Sequence, residues 1–279
     1  MQREQYTEIL KCLRQNMTVT SSREYLSELT KQFDGVSIET VGSIYSQDVQ
    51  RRMKKQHYKH NNRGPMLYRN YQAMVTKGKK HVLLRMAEQI DLSPALLGRI
   101  ILEQHVTNGL DDEDEMPTKS TLSEMMKDPA TVDDPVLANE LQECMVADEN
   151  YGPLVDTIKH SVGHEYEFKL VKQVEDAGLS YLGEDQMRLK GYDKTPDIKL
   201  EIPIAIDGHV VNWIESKASF GDDESHKNYL KDQFWSYWNR FGPGLVIYWF
   251  GFIDDLNCNQ EKGIILRDNF PQHFVRMEP

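Results

Sequence analysis

Apolar positions over the first 106 residues recur at spacings of three and four, the period of helices with one buried face. Tyr6, Ile9, Leu10 and Leu13 mark a first helix. A second is expected to open at Thr20-Ser21-Ser22, residues suited to a helix N-cap, and to run through Tyr25, Leu26 and Leu29 to Phe33. Asp34-Gly35 breaks it, and Ser37 can cap a third helix through Val41, Ile44 and Tyr45, giving a helix-turn-helix pattern. A second such pair is expected at 82–90 and 95–106, joined by Asp91-Leu92-Ser93-Pro94, with Ser93 as N-cap and Pro94 in the first helical position. Short helices follow near 120–127 and 134–148, the latter started by Asp133-Asp134-Pro135.

Beyond residue 150 the pattern changes. Residues 154–161 and 165–177 read as helix, interrupted or kinked at Gly163 and closed by Gly178. A short strand is expected at 179–182. Ile198, Leu200, Ile202, Ile204 and Ile206 then alternate with mostly polar neighbours, the signature of a half-buried strand. Asp207-Gly208 is a hairpin turn signal, and 209–217 is the return strand. Residues 222–240 read as helix, stopped by Gly242-Pro243-Gly244. The run LVIYWFGFI at 245–253 fits a central strand covered on both faces, and 263–266 a last strand. The order of elements implies an α/β layer architecture behind an all-helical N-terminal part.

Charge sharpens this division. The net charge of -11 hides two opposed halves: residues 1–110 hold 17 Lys/Arg against 10 Asp/Glu, and residues 111–279 hold 16 against 34. The expected organisation is a helical domain over 1–110 with two helix-turn-helix-like units, an acidic linker with short helices over 111–150 (its polar break at 107–119), and an α/β domain over 151–279. Residues 51–85 carry 11 Lys/Arg and no acid, with Tyr58, Tyr68 and Tyr71 interleaved. Such a stretch neutralises phosphates and offers rings for stacking, so Arg51, Arg52, Lys54 and Lys55 are candidate nucleic-acid contacts; a solvated helix face is the plainer alternative. No apolar run reaches the ~20 residues of a membrane span, and no secretory signal is recognisable, so an intracellular protein is expected. Three separated cysteines, Cys12, Cys144 and Cys258, suggest neither a disulfide framework nor a zinc site.

The chemistry gathers on the hairpin. Asp197 opens its first strand, and Glu215 and Lys217 lie two apart near the end of the second, on one face. Two carboxylates can hold Mg2+ (or Mn2+) with help from the carbonyl of Ser216. A neighbouring ammonium can orient water and stabilise charge on an attacked phosphate. Register decides the matter. A strict two-residue turn at Asp207-Gly208 pairs 197 with 218 and sends Asp197 to the opposite face. A bulge or odd-length loop near Gly208 is therefore expected. Phe234, Trp238 and Phe241 are expected to face together on the following helix, mainly as core. His226 is expected to be a solvated helix histidine, with a phosphate contact as the rarer alternative. His160, His164 and Glu167 have helical metal spacing but no further ligand in sequence reach.

Pro196-Asp197 and Glu215-Ser216-Lys217 resemble the signature of the PD-(D/E)xK, restriction-endonuclease-like superfamily. Glu167, with Glu165 as second candidate, resembles the glutamate on the helix before the first strand, and Gln233 with Tyr237 resembles the Gln-x3-Tyr motif of RecB-like nucleases. That resemblance implies an α-β-β-β-α-β core, Asp197, Glu215, Lys217 and Glu167 as catalytic residues, and Gln233 and Tyr237 as substrate contacts. The runs YGPLVD, KGYDKTPD, WIESKASFGD and DQFWSYWNRFGPGLVIYW are similar to the codanin-interacting nuclease family of animals over nearly the whole chain. This implies a Mg2+-dependent nuclease in nucleus and cytoplasm, monomeric or weakly self-associating, that binds codanin and nucleic acid. The alternative is a nuclease fold, weak or inactive in catalysis, kept mainly as a binding module; the acidic C-terminal half, which repels a polyanion, favours it.

Overall fold

The computed structural model describes residues 1–16, 23–109 and 117–277. The N-cap expected at Thr20-Ser21-Ser22 and the centre of the expected linker lie outside the described residues. No described helix is long and apolar enough to cross a membrane.

The chain forms two compact units that are not consecutive stretches. One comprises Met1–Leu13, Leu26–Ile44 and His160–Pro279; the other comprises Arg14–Tyr25 and Tyr45–Lys159. The expected division puts residues 1–110 together. Packing explains the difference. In the first unit the Tyr6 ring stacks on Phe220 at 5.7 Å, Thr40 donates to the Phe250 carbonyl at 2.9 Å, and Ser43 Oγ accepts the Phe220 N–H at 2.8 Å.

The second unit is helical: it contains α4 (Gly64–Thr76), α5 (Val82–Ile90), α6 (Pro94–Asn108), α7 (Lys119–Lys127) and α8 (Pro135–Ala147). Its core includes Leu67, Leu83, Met86, Leu97, Ile101 and Leu141. The expected caps form: Ser93 accepts from Leu96 N, and Asp134 accepts from Val136 N and Leu137 N. Buried Glu140 takes the Leu83 N–H at 2.8 Å and so satisfies a donor at the start of α5.

Helices α1 (Arg3–Asn16), α2 (Arg23–Thr30) and α3 (Ile38–Asn61) precede these, and α3 continues well beyond Tyr45, the last apolar position of the expected helix. Helix α9 (Pro153–Asp176) passes through Gly163 without interruption, because a single glycine lowers helix propensity by only ~1 kcal/mol. The remaining helices are α10 (Glu184–Leu189), α11 (Asp223–Tyr229) and α12 (Trp235–Phe241), with a π turn over Leu230–Phe234 between the last two.

Strands β1 (Tyr181–Gly183), β2 (Ile198–Ile206), β3 (His209–Lys217), β4 (Gly244–Tyr248), β5 (Ile264–Arg267) and β6 (Val275–Arg276) form a mixed sheet. The order is β1-β2-β3-β4-β5, with β6 also on β2. The first three strands are antiparallel, whereas β3, β4 and β5 are parallel. One face is covered by Leu170 and Val174 of α9, which pack on Ile198, Ile204, Ile214 and Leu245. The other carries Trp213 against Phe234 and Tyr237 at 6.3 and 5.4 Å. The fold is thus mixed α/β. Strand β4 ends at Tyr248, short of the expected 253, because Gly251 takes a positive φ of 83° and turns the chain.

The hairpin register corrects one expectation. The turn at Asp207-Gly208 is a strict two-residue turn, both residues having positive φ (49° and 82°), and Ile206 pairs with His209. No bulge lies near Gly208. The irregularity lies between Lys199 and Ile204: Ile204 pairs with Val211, but Lys199 pairs with Trp213. Strand β2 therefore gains an odd number of extra residues over β3, centred on a segment containing Pro203, which has no N–H to give the ladder. An odd insertion flips the side-chain alternation. The face change needed at Asp197 is made within β2 rather than at the turn.

Candidate active site

Below this irregularity Ile198 pairs with Ile214, so Asp197 arrives beside Glu215. The Ser216 N–H donates to Asp197 Oδ2 at 2.6 Å, and the Asp197 N–H donates to Glu215 Oε2 at 3.3 Å. Lys217 Nζ reaches Glu215 Oε1 at 2.6 Å. Its ammonium also lies 4.7 Å from the centre of the Tyr229 ring. The three ionisable groups expected to meet do meet, at the end of β3 where Lys217 pairs with Tyr248 of central strand β4.

Buried Glu215 pairs with the Lys217 ammonium, and half-buried Asp197 lies beside them on the cleft. Burial first, and Glu215 second, push the Asp197 carboxyl well above the ordinary carboxylate range. Burial likewise raises Glu215, although Lys217 pulls it back. Burial alone would lower Lys217, but Glu215 and Asp197 outweigh it and hold the ammonium more tightly than usual. The site thus has more buried negative charge than its own cation offsets, a situation that favours a proton or a second cation.

An open cleft of about 650 Å³ lies beside Asp197, lined also by His164, Glu167, Val171, Glu184, Asp185 and Gln186. Glu167 is on this cleft but not in the buried cluster; its Oε2 pairs with His164 Nδ1 at 3.1 Å. His160 stacks on His164 at 5.0 Å. Among the described residues, no three His, Cys, Asp or Glu side chains gather as a metal-holding group. A hard cation that keeps most of its water needs only one or two carboxylates. Asp197 suits that role: no hydrogen bond reaches its Oδ1 among the described residues, and it opens on the cleft. Asp197, Glu215 and the Ser216 carbonyl therefore fit Mg2+ or Mn2+ as a donor set.

Gln233 sits in the π turn, with its Oε1 buried and without a hydrogen-bond partner. Tyr237 is buried, and burial, then Glu215, Asp197 and Glu184, raise its hydroxyl pKa, which places that hydroxyl in the field of the acids. Of Phe234, Trp238 and Phe241, only Phe234 belongs to the core. Phe234 is fully buried, Trp238 pairs with Trp235 at 6.3 Å, and Phe241 meets Tyr192 at 5.4 Å. His226 is not solvated: its Nδ1 is 3.0 Å from the Tyr248 hydroxyl, and burial lowers its pKa to about 4. Asp222 caps α11 by accepting from Ser225 N.

Glu184 and Tyr229 do not stand out in the sequence. Glu184 opens α10 beside the cleft and accepts from Thr195 Oγ1 at 3.3 Å. A six-residue helix carries too little periodicity to announce itself. In the helical unit, Lys54 and Lys55 are exposed, while Arg51 and Arg52 are half-buried. Tyr68 and Tyr71 are not available for stacking on bases: both are buried, 6.3 Å from each other, and Tyr68 bonds His105. Tyr58, at 81 % exposure, is the open ring of that stretch.

Residues 133–270 match a family model described as "Protein of unknown function TPD sequence-motif"; within them the chain reads Thr195-Pro196-Asp197. The chain is 50% identical over 263 residues to a protein of Xenopus laevis named CDAN1-interacting nuclease 1, covering 93% of this chain and 86% of that one. Proteins of the same name from Homo sapiens and Gallus gallus are 48% and 45% identical over 276 residues, covering 98% of this chain and 96% and 95% of theirs. No solved structure matches.

Proposed function

The chain belongs to the CDAN1-interacting nuclease 1 family, and we propose that it is a PD-(D/E)xK-type nuclease, dependent on Mg2+ or Mn2+, that hydrolyses phosphodiester bonds of nucleic acid. The observation that carries this reading is the cluster of Asp197, Glu215 and Lys217 at the end of β3, where Lys217 pairs with buried Glu215 and the Asp197 N–H bonds the same carboxylate. The divalent ion, when bound, supplies a water of lowered pKa and offsets charge on the attacked phosphate. Asp197 and Glu215, with the Ser216 carbonyl, hold it. Lys217 stays protonated and presents its N–H groups to the attacking water and to a phosphate oxygen. Glu167, on the cleft wall, assists at the water side. Gln233 and Tyr237 position the substrate: the unpartnered Gln233 Oε1 marks an acceptor that awaits a donor. Arg51, Arg52, Lys54 and Lys55 hold the backbone of the nucleic acid through charge.

The relatives' name also carries a partner, and codanin is the partner we assign to this protein, in nucleus and cytoplasm. One observation favours a binding module with weak catalysis instead. Among the described residues, the charged side chains lining the cleft include four acids (Glu167, Glu184, Asp185 and Asp197) and no Lys or Arg, a lining that repels phosphate.

A cleavage assay on labelled single- and double-stranded DNA and RNA separates the two. Cleavage that appears with Mg2+ or Mn2+, vanishes with chelator, and falls at least ~100-fold in Lys217→Ala supports the enzyme. Metal-dependent cleavage that survives in Lys217→Ala rejects this site. No cleavage of any substrate supports the binding module.

A further inference from the structure

The loop that delivers Asp197 carries a surface that the reaction above does not use. Leu189 is 88 % exposed, Tyr192 37 %, and Lys190 and Lys194 are exposed beside them. This loop is pinned to α12. Arg240 Nη2 bonds Asp193 at 2.7 Å, its Nη1 donates to the Lys194 carbonyl at 3.0 Å, and Lys194 Nζ donates to the Asp232 carbonyl at 2.7 Å. Phe241 meets the Tyr192 ring edge-to-face, and the Arg240 guanidinium lies 5.6 Å from its centre. Tyr192 is thus an aromatic ring fixed in place yet open to solvent, a state that loses little freedom when a ligand stacks on it.

Charge distinguishes this rim from the acidic cleft. No carboxylate pairs with Lys190 or Lys194 among the described ion pairs, so both charges remain for phosphates. Tyr192 lies five positions before Asp197, a span of at most ~18 Å. An aromatic ring framed by unneutralised lysines suits a strand whose bases are unstacked, since a duplex hides its base faces.

We propose that this rim binds single-stranded nucleic acid, with an unpaired base stacked on Tyr192 and the flanking phosphates on Lys190 and Lys194. It rests on the nuclease reading only in that the bound strand then passes the site at Asp197. Binding itself is measurable without cleavage. Fluorescence anisotropy with chelator present would use labelled oligothymidylate, oligouridylate and a DNA duplex. Single strands should bind more tightly than duplex. Tyr192→Ala should weaken them about tenfold, and Tyr192→Phe, which keeps the ring, should bind as the wild type does. A loss confined to oligothymidylate or to oligouridylate identifies DNA or RNA as the ligand. Equal binding of duplex and single strands, or Tyr192→Ala binding like the wild type, overturns the proposal. Cleavage with Mg2+ is read in parallel on wild type and Lys217→Ala. Tyr192-dependent binding without cleavage leaves the platform and removes the nuclease; Lys217-dependent cleavage without Tyr192 dependence does the reverse.

Discussion

Asp197 shows what one side chain contributes and what it opposes. Its carboxyl lies half-buried beside Glu215, and burial raises its pKa. A carboxyl whose folded pKa exceeds its unfolded value of about 4 binds a proton in the folded state that the unfolded chain has released. That contribution is therefore complete at low pH and is lost as pH rises from about 4 through the raised folded value. Asp197→Asn keeps an acceptor for the Ser216 N–H and removes the titration. In chelator, its Tm should match the wild type near pH 4 and exceed it increasingly toward pH 8, by about 2–4 °C for each kcal/mol relieved. Thermal melts across that range check it; a variant less stable than the wild type at pH 8 would mean that the carboxylate is already well compensated. Asp197, Glu215 and Lys217 were legible in the sequence because strand alternation and a hairpin signal brought them together. Glu184 was not, since its approach to the site depends on where a short helix packs.

Elements were legible where periodicity ran long, and less so where backbone detail decided. The hairpin, the helices of both pairs and the caps at Ser37, Ser93 and Asp134 followed from pattern and turn chemistry. The site of the register change did not, because the alternation of Ile198 to Ile206 looks unbroken across Pro203, and only pairing reveals the insertion. The π turn was equally hidden, as no residue type demands it. Glycines test this reading at three positions. Gly163 lies in α9 with nothing within 4 Å of an added Cβ, so Gly163→Ala should stabilise by about 0.5–1 kcal/mol. Gly208 has open space but a φ of +82°, so Gly208→Ala should destabilise by about 1 kcal/mol. At Gly244 a Cβ would lie 2.1 Å from the Trp213 ring, so Gly244→Ala should be the most damaging. Urea melts rank them; Gly244→Ala milder than Gly208→Ala would refute the packing of Trp213 on β4.

Across the whole molecule the opposed charges of the two halves predict how nucleic acid is held. The arm 51–85 keeps Lys54 and Lys55 at the surface and Arg51 and Arg52 half-buried, and it contributes fewer rings than its sequence promised, because Tyr68 and Tyr71 went into the core. Its contribution should be chiefly electrostatic. Replacing Arg51, Arg52, Lys54 and Lys55 together by Ala should weaken binding of single strands and duplex alike. For every phosphate left without its cation, the slope of log affinity against log salt should fall by about 0.7–0.9. Affinity measured from about 50 to about 200 mM salt, the range over which ion release at phosphates is most visible, tests this. An unchanged slope would assign the arm to solvent.

The proposed hydrolysis requires that Asp197 and Glu215 grip a divalent ion beside Lys217. Titration of the protein with Mn2+, followed by electron paramagnetic resonance of the free ion, measures this without any substrate. The wild type and Lys217→Ala should each bind Mn2+, whereas Asp197→Ala and Glu215→Ala should bind it at least ~10-fold more weakly. Wild-type affinity that persists in both acid variants would place the ion elsewhere and contradict the account.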